Sequence, residues 1–213
     1  MFATGKETNI IKDSGDVDET LFSHFGLTKE DFFPVVSEAV SARNEATLFH
    51  PINSPGTLSH HHATAALRSG LHAKGWKIIR EDGVEASFSP EYNIKMAFQN
   101  VDCAAFEGRT PQAISNKGAA TKQLIDECQG DLFEGYKVRS DKQSTTEFWY
   151  FFVSNEQGRV CAELSRPKPF EGGNFAEFDM RIFVVQDGEW NNSDPLRTDV
   201  LPPIDVPVVV TRK

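Results

Sequence analysis

Apolar residues along the chain switch from one spacing to another. Val17, Leu21, Phe22 and Phe25 recur at helical spacing, with Asp16 placed to cap the start and Gly26 to end the run. Thr28 and Asp31 form a capping-box pair ahead of a second helix, whose stripe is Phe32, Phe33, Val36, Ala39 and Val40. Pro34 either breaks that segment or opens its longer half at the first turn. Pro51, Pro55 and Gly56 predict a loop over 50–56. Thr57 or Ser59 then caps a third helix running to Gly70 or Gly75, with Leu67 and Leu71 one turn apart on its buried side. The polar, turn-rich residues 1–15 read as a loose arm, in which Asn9, Ile10 and Ile11 are a candidate edge strand.

Beyond Trp76 the period becomes two. Segments 76–80 and 84–88 flank Asp82-Gly83, a strong hairpin signal, and 92–98 follows as a third strand. Residues 148–153 are six apolar positions in a row, the mark of a central strand covered on both faces. A turn at 155–158 leads to Val160, Ala162 and Leu164, which alternate with Arg159, Cys161 and Glu163. Later, Phe178, Met180, Ile182 and Val184 alternate with Glu177, Asp179 and Arg181, predicting a half-buried antiparallel strand with one wet face. Between these sets, 103–116 reads as a long loop and 119–128 as a helix. Residues 129–144 have no apolar face to bury and read as mobile. From Asp187 the chain becomes an extended tail to Lys213. These elements predict a single α+β domain over 16–186, with a mainly antiparallel sheet and the N-terminal helices packed on one face.

Composition narrows the setting. The 213 residues are enough for one domain with a real core, and seventeen Phe make that core Phe-rich. Net charge is −9, and acids exceed bases at both ends, so bulk binding to a phosphate backbone is disfavoured. A protein or nucleoprotein complex with a basic surface is the better electrostatic match, with duplex DNA binding weak or absent. Three well-separated cysteines, no CxxC, no secretory start and no apolar run near ~20 residues predict a cytoplasmic protein without disulfides or a membrane span.

Candidate chemistry is sparse. All six histidines lie between His24 and His72, but His60, His61 and His62 are sequence neighbours and diverge by about 100° on a helix. No HExxH or HxxxH spacing exists, so no metal site is predicted. Glu177 and Asp179 are what the wet side of an amphipathic strand carries, which favours a solvated or partner-facing role over a nuclease pair. No GxSxG, Walker or dinucleotide loop occurs, and no catalytic residue or cofactor is assigned. The segment 108–122 stands apart, because it carries Arg109, Lys117 and Lys122 close to a predicted helix start. Those three are the candidate anion-binding residues.

Several landmarks occur in a familiar order. They are Asn53-Ser54-Pro55-Gly56-Thr57, Ala66-Leu67-Arg68, Gly75-Trp76, Ser89-Pro90 before Asn93-Ile94, 117–121, and Glu163-Leu164-Ser165-Arg166-Pro167. In that order they resemble an uncharacterised family associated with phages and plasmids, over about two thirds of the chain from His50 onwards. The His triplet and the extra N-terminal helices depart from that pattern. The resemblance implies a mobile-element setting and no chemistry. The expected function is therefore a non-enzymatic accessory or inhibitor protein that engages a macromolecular complex through an acidic surface, with Glu177 and Asp179 as candidate contacts. The alternative is a nucleotide- or nucleic-acid-processing enzyme, or a phosphate-ligand module, built on the 108–122 loop.

Overall fold

A computed structural model describes residues 7–81, 84–114, 146–169 and 174–190. Helix α1 (Ser14–Phe25) buries Val17, Leu21 and Phe25 and ends at Gly26. Gly26 has φ of 64°, and a Cβ there would collide with the Tyr92 hydroxyl, so both backbone and space require glycine. Thr28 and Asp31 close the expected capping box around one 3-10 turn. Helix α2 (Phe33–Asn44) follows, with Pro34 in its first turn, where a missing N–H costs nothing. Helix α3 (Ser54–Ala73) starts earlier than its sequence suggests. Pro55 and Gly56 sit inside its first turn, where proline's fixed φ already suits a helix.

The seven strands are β1 (Asn9–Ile11), β2 (Lys77–Glu81), β3 (Val84–Ser89), β4 (Ile94–Asn100), β5 (Glu147–Glu156), β6 (Arg159–Pro167) and β7 (Phe178–Val185). They form one sheet in the order β1-β7-β6-β5-β4-β3-β2. Strands β2 to β4 and β5 to β7 are two antiparallel meanders, joined side by side where β4 and β5 run parallel. Strand β1 adds a second parallel pairing at the β7 edge. The fold is α+β, but its sheet is mixed, which corrects the mainly antiparallel expectation. A parallel neighbour requires a long crossover, and the 46 residues from 101 to 146 supply it. Of the N-terminal arm, 9–11 adopt the edge-strand alternative, and Thr8 Oγ1 donates to the Phe178 carbonyl at 2.9 Å. The helix expected at 119–128, the mobile segment at 129–144 and the tail beyond Trp190 lie outside the described residues.

Two clusters of buried side chains lie against the sheet. The first combines Leu21, Phe25, Phe32, Val36 and Leu67 from the helical segments with Phe98, Trp149, Phe151, Leu164 and Ile182 from the strands. Phe25 meets Trp149 edge-on at 4.9 Å, and Phe32 stacks on Phe151 at 4.6 Å. The second holds Ala97, Phe148, Tyr150, Phe152, Phe175 and Phe178, drawn among the described residues from strands and loops alone. Consecutive residues of β5 thus enter opposite clusters, and 148–153 are all buried, as their unbroken apolar run requires.

Candidate functional site

The carboxyl ends of the parallel β4–β5 pair carry two hollows, one beside each cluster. The first stands over a buried ion pair. Alternation on β6 sends Val160, Ala162 and Leu164 into the first cluster, so Glu163 and Ser165 point the other way. Register then sets Glu163 opposite Phe183 and Ser165 opposite Arg181. Glu163 is 0% exposed and Arg181 3%. The wet side expected for β7 is therefore covered at Arg181, because the 101–114 loop folds across it.

The Glu163 carboxylate has no free lone pair for chemistry. Its Oε1 accepts from Ser165 Oγ at 2.7 Å and from Arg181 Nε at 2.9 Å. Its Oε2 accepts from the Ala105 N–H at 2.6 Å and from Arg181 Nη2 at 2.7 Å. Arg181 Nη1 also donates to the Arg109 carbonyl at 3.3 Å, and its guanidinium lies 5.2 Å from the Phe183 ring centre. A bidentate pair with every acceptor filled is a structural clamp. It fastens the loop at Ala105, which adopts a φ of 51° to present its N–H.

Asp102 organises the rest of that loop. Its Oδ1 accepts from the Cys103 and Gln112 N–H groups at 2.7 and 2.8 Å. Its Oδ2 accepts from Arg109 Nη2 at 2.6 Å. The hollow above, about 220 Å³, includes Asp102, Cys103, Arg109, Glu156, Arg159 and Asp187 in its wall. Burial and the neighbouring Asp102 push the Cys103 thiol up to about 11, so it is protonated at neutral pH and unsuited to nucleophilic attack.

The second hollow, about 540 Å³, lies where α3 begins. Asn100, the last residue of β4, faces the helices. Its Oδ1 accepts from Ser59 Oγ at 3.0 Å, and its Nδ2 donates to the Gly56 carbonyl at 3.1 Å. Arg43, Ile52, His60, His61 and Ile114 contribute to the wall. The chain carries a net charge of −9, yet no carboxylate lines this space among the described residues. The α2–α3 loop beside it turns Leu48, Phe49 and Ile52 outward, at 87%, 89% and 101% exposure.

Of the residues singled out from sequence, the structure describes Arg109, Glu177 and Asp179. Arg109 is engaged with Asp102, and Lys117 and Lys122 lie outside the described residues. Glu177 pairs with Lys168 at 2.9 Å, and Asp179 with Arg166 at 3.3 Å. Arg166 also pairs with Glu147. Among the described residues no three His, Cys, Asp or Glu side chains are grouped to hold a metal, and no helix is long and apolar enough to cross a membrane. Sequence reasoning missed Glu163, Arg181, Arg43 and Asn100. The one signal was Glu163, a charge among small and apolar residues on β6. No family model, curated protein or solved structure matches this chain.

Proposed function

We propose that this chain is a non-enzymatic binding protein of the accessory or inhibitor kind, which docks on a protein complex through the α2–α3 loop. The observation that carries the reading is the outward exposure of Leu48 and Phe49, at 87% and 89%. Large apolar side chains held together in solvent mark contact surfaces, because covering them releases ordered water. The net charge of −9 favours a partner whose rim is basic, with the apolar pair at the centre of contact. The filled valences of Glu163 and the protonated Cys103 weigh against catalysis in the first hollow. The mobile-element setting rests on motif order alone.

The test is affinity capture from extracts of the native host, comparing the wild-type chain with a Leu48→Ser/Phe49→Ser variant. One specific complex should be enriched by the wild type, weaken as salt rises, and fall by about tenfold or more with the variant at an unchanged melting temperature. Equal capture by both proteins would sink the assignment of this loop. If Glu177→Lys/Asp179→Lys abolishes capture while the loop variant does not, the acidic edge of β7 is the docking surface instead.

A further inference from the structure

We infer that the second hollow is a binding site for a small phosphate monoester of roughly mononucleotide size. Its volume of about 540 Å³ lies within the usual range for organic ligands, about 300–1,000 Å³. Its wall divides by chemistry. Arg43 and His61 supply the cationic and donor side, and Ile52, Pro55 and Ile114 supply an apolar side suited to a ring. Arg43 is half-buried, and no acid pairs with it among the described residues. Five of the other six described arginines find carboxylates, Arg159 being the exception: Arg68 and Arg80 pair with Glu85, Arg109 with Asp102, Arg166 with Glu147 and Arg181 with Glu163. Arg43 faces a hollow with no carboxylate among the described residues. A guanidinium held partly out of water needs an acceptor, and a dianionic phosphate accepts its paired N–H groups in fork geometry.

The floor is built before any ligand arrives. The Asn100 side chain ties the end of β4 to Ser59 and to the Gly56 carbonyl, so the first turn of α3 keeps its place beside Arg43. Such preorganisation lowers the ordering cost of binding. Leu48 and Phe49 are not in its wall, but Ile52 of the same loop is, so this site borders the proposed docking surface and the Leu48→Ser/Phe49→Ser variant keeps its wall intact.

Isothermal titration calorimetry on the full chain with adenosine monophosphate, adenosine and inorganic phosphate tests the inference. The monophosphate should bind with a Kd below about 1 mM, and adenosine at least tenfold more weakly. Inorganic phosphate should bind measurably but more weakly than the nucleotide, because it leaves the apolar side unfilled. Arg43→Gln should weaken the monophosphate by about tenfold or more. Asn53→Asp gives a second test that leaves the fold alone, because the Asn53 side chain makes no capping bond to lose and aspartate is equally accepted at an N-cap. It places a carboxylate in the wall and should weaken the monophosphate without affecting adenosine. No heat with any of the three compounds up to about 10 mM would overturn the inference. So would equal affinity for adenosine and its monophosphate, or indifference of binding to both substitutions.

Discussion

The two hollows at the carboxyl end of the β4–β5 pair differ in charge: acids and arginines line the first, whereas Arg43 and histidines line the second with no carboxylate among the described residues. Beside the second cluster, the charges that fasten the 101–114 loop already have counter-charges, although Glu156, Arg159 and Asp187 also stand in the wall. Glu163 fills its four acceptor sites, and Arg109 is held by Asp102. Beside the first cluster, Arg43 faces a space with no carboxylate among the described residues. A closed network stabilises the fold and has nothing left to offer a ligand, whereas an open valence next to a hollow has. The contrast shows why burial of a charged group is a poor guide to function by itself. Glu163 is the most buried acid described here, and its bonds make it a clamp.

The strongest way to break the comparison is to open the clamp. Glu163→Ala leaves Arg181 buried without its counter-ion and should cost about 3–5 kcal/mol in denaturant unfolding. Replacing both partners with apolar residues, Glu163→Leu with Arg181→Met, should cost distinctly less, since no orphan charge remains. If the single substitution is nearly neutral, the loop is not fastened as described.

Cys103 reports on the same region through its reactivity. Its thiol is raised to about 11, so alkylation followed peptide by peptide should still climb steeply at pH 10. The sign follows from the direction of the shift, because a raised thiol stays protonated, and slow to react, until pH approaches that value. A profile levelling near 9, the ordinary value, would mean that the hollow is wet and Asp102 distant.

Two substitutions sharpen the other side. Asn100→Ala removes the partners of Ser59 Oγ and the Gly56 carbonyl and should cost about 1–3 kcal/mol in a thermal or denaturant melt. Arg43→Gln should change stability by less than about 0.5 kcal/mol, because no described fold contact depends on its charge. A large loss there would show that Arg43 belongs to the fold and would erase the difference between the hollows.

Local chemistry wrote several elements into the sequence. The capping residues around Thr28, the glycine after Phe25 and the apolar run at 148–153 each specify a backbone by near-neighbour effects, and each appears where it was expected. The start of α3 was misplaced because proline and glycine serve both loops and first turns. What closes the turn is the Thr57 N–H donating to the Asn53 carbonyl at 3.1 Å, with the Asn100 tie beside it. Strand direction was not legible either. An apolar run announces a strand covered on both faces, but only the crossover from β4 decides that its neighbour lies parallel.

The candidate sites were the least legible part, for one physical reason. Alternation along β6 and β7 tells which residues share a side of the sheet, and it placed Glu163, Glu177, Asp179 and Arg181 on the polar side of their strands. Alternation cannot tell whether that side meets water. The 101–114 loop covers Glu163 and Arg181 and leaves Glu177 at the edge with Lys168. Among the described residues the sequence by itself determined that helices, strands and a Phe-rich core would form, because periodicity acts within a few residues, although α1 and α3 both begin ahead of the caps it suggested. The tertiary structure alone decided which charges meet, since Glu163 with Arg181 and the placing of Arg43 away from any described carboxylate depend on contacts between distant segments that no local pattern encodes.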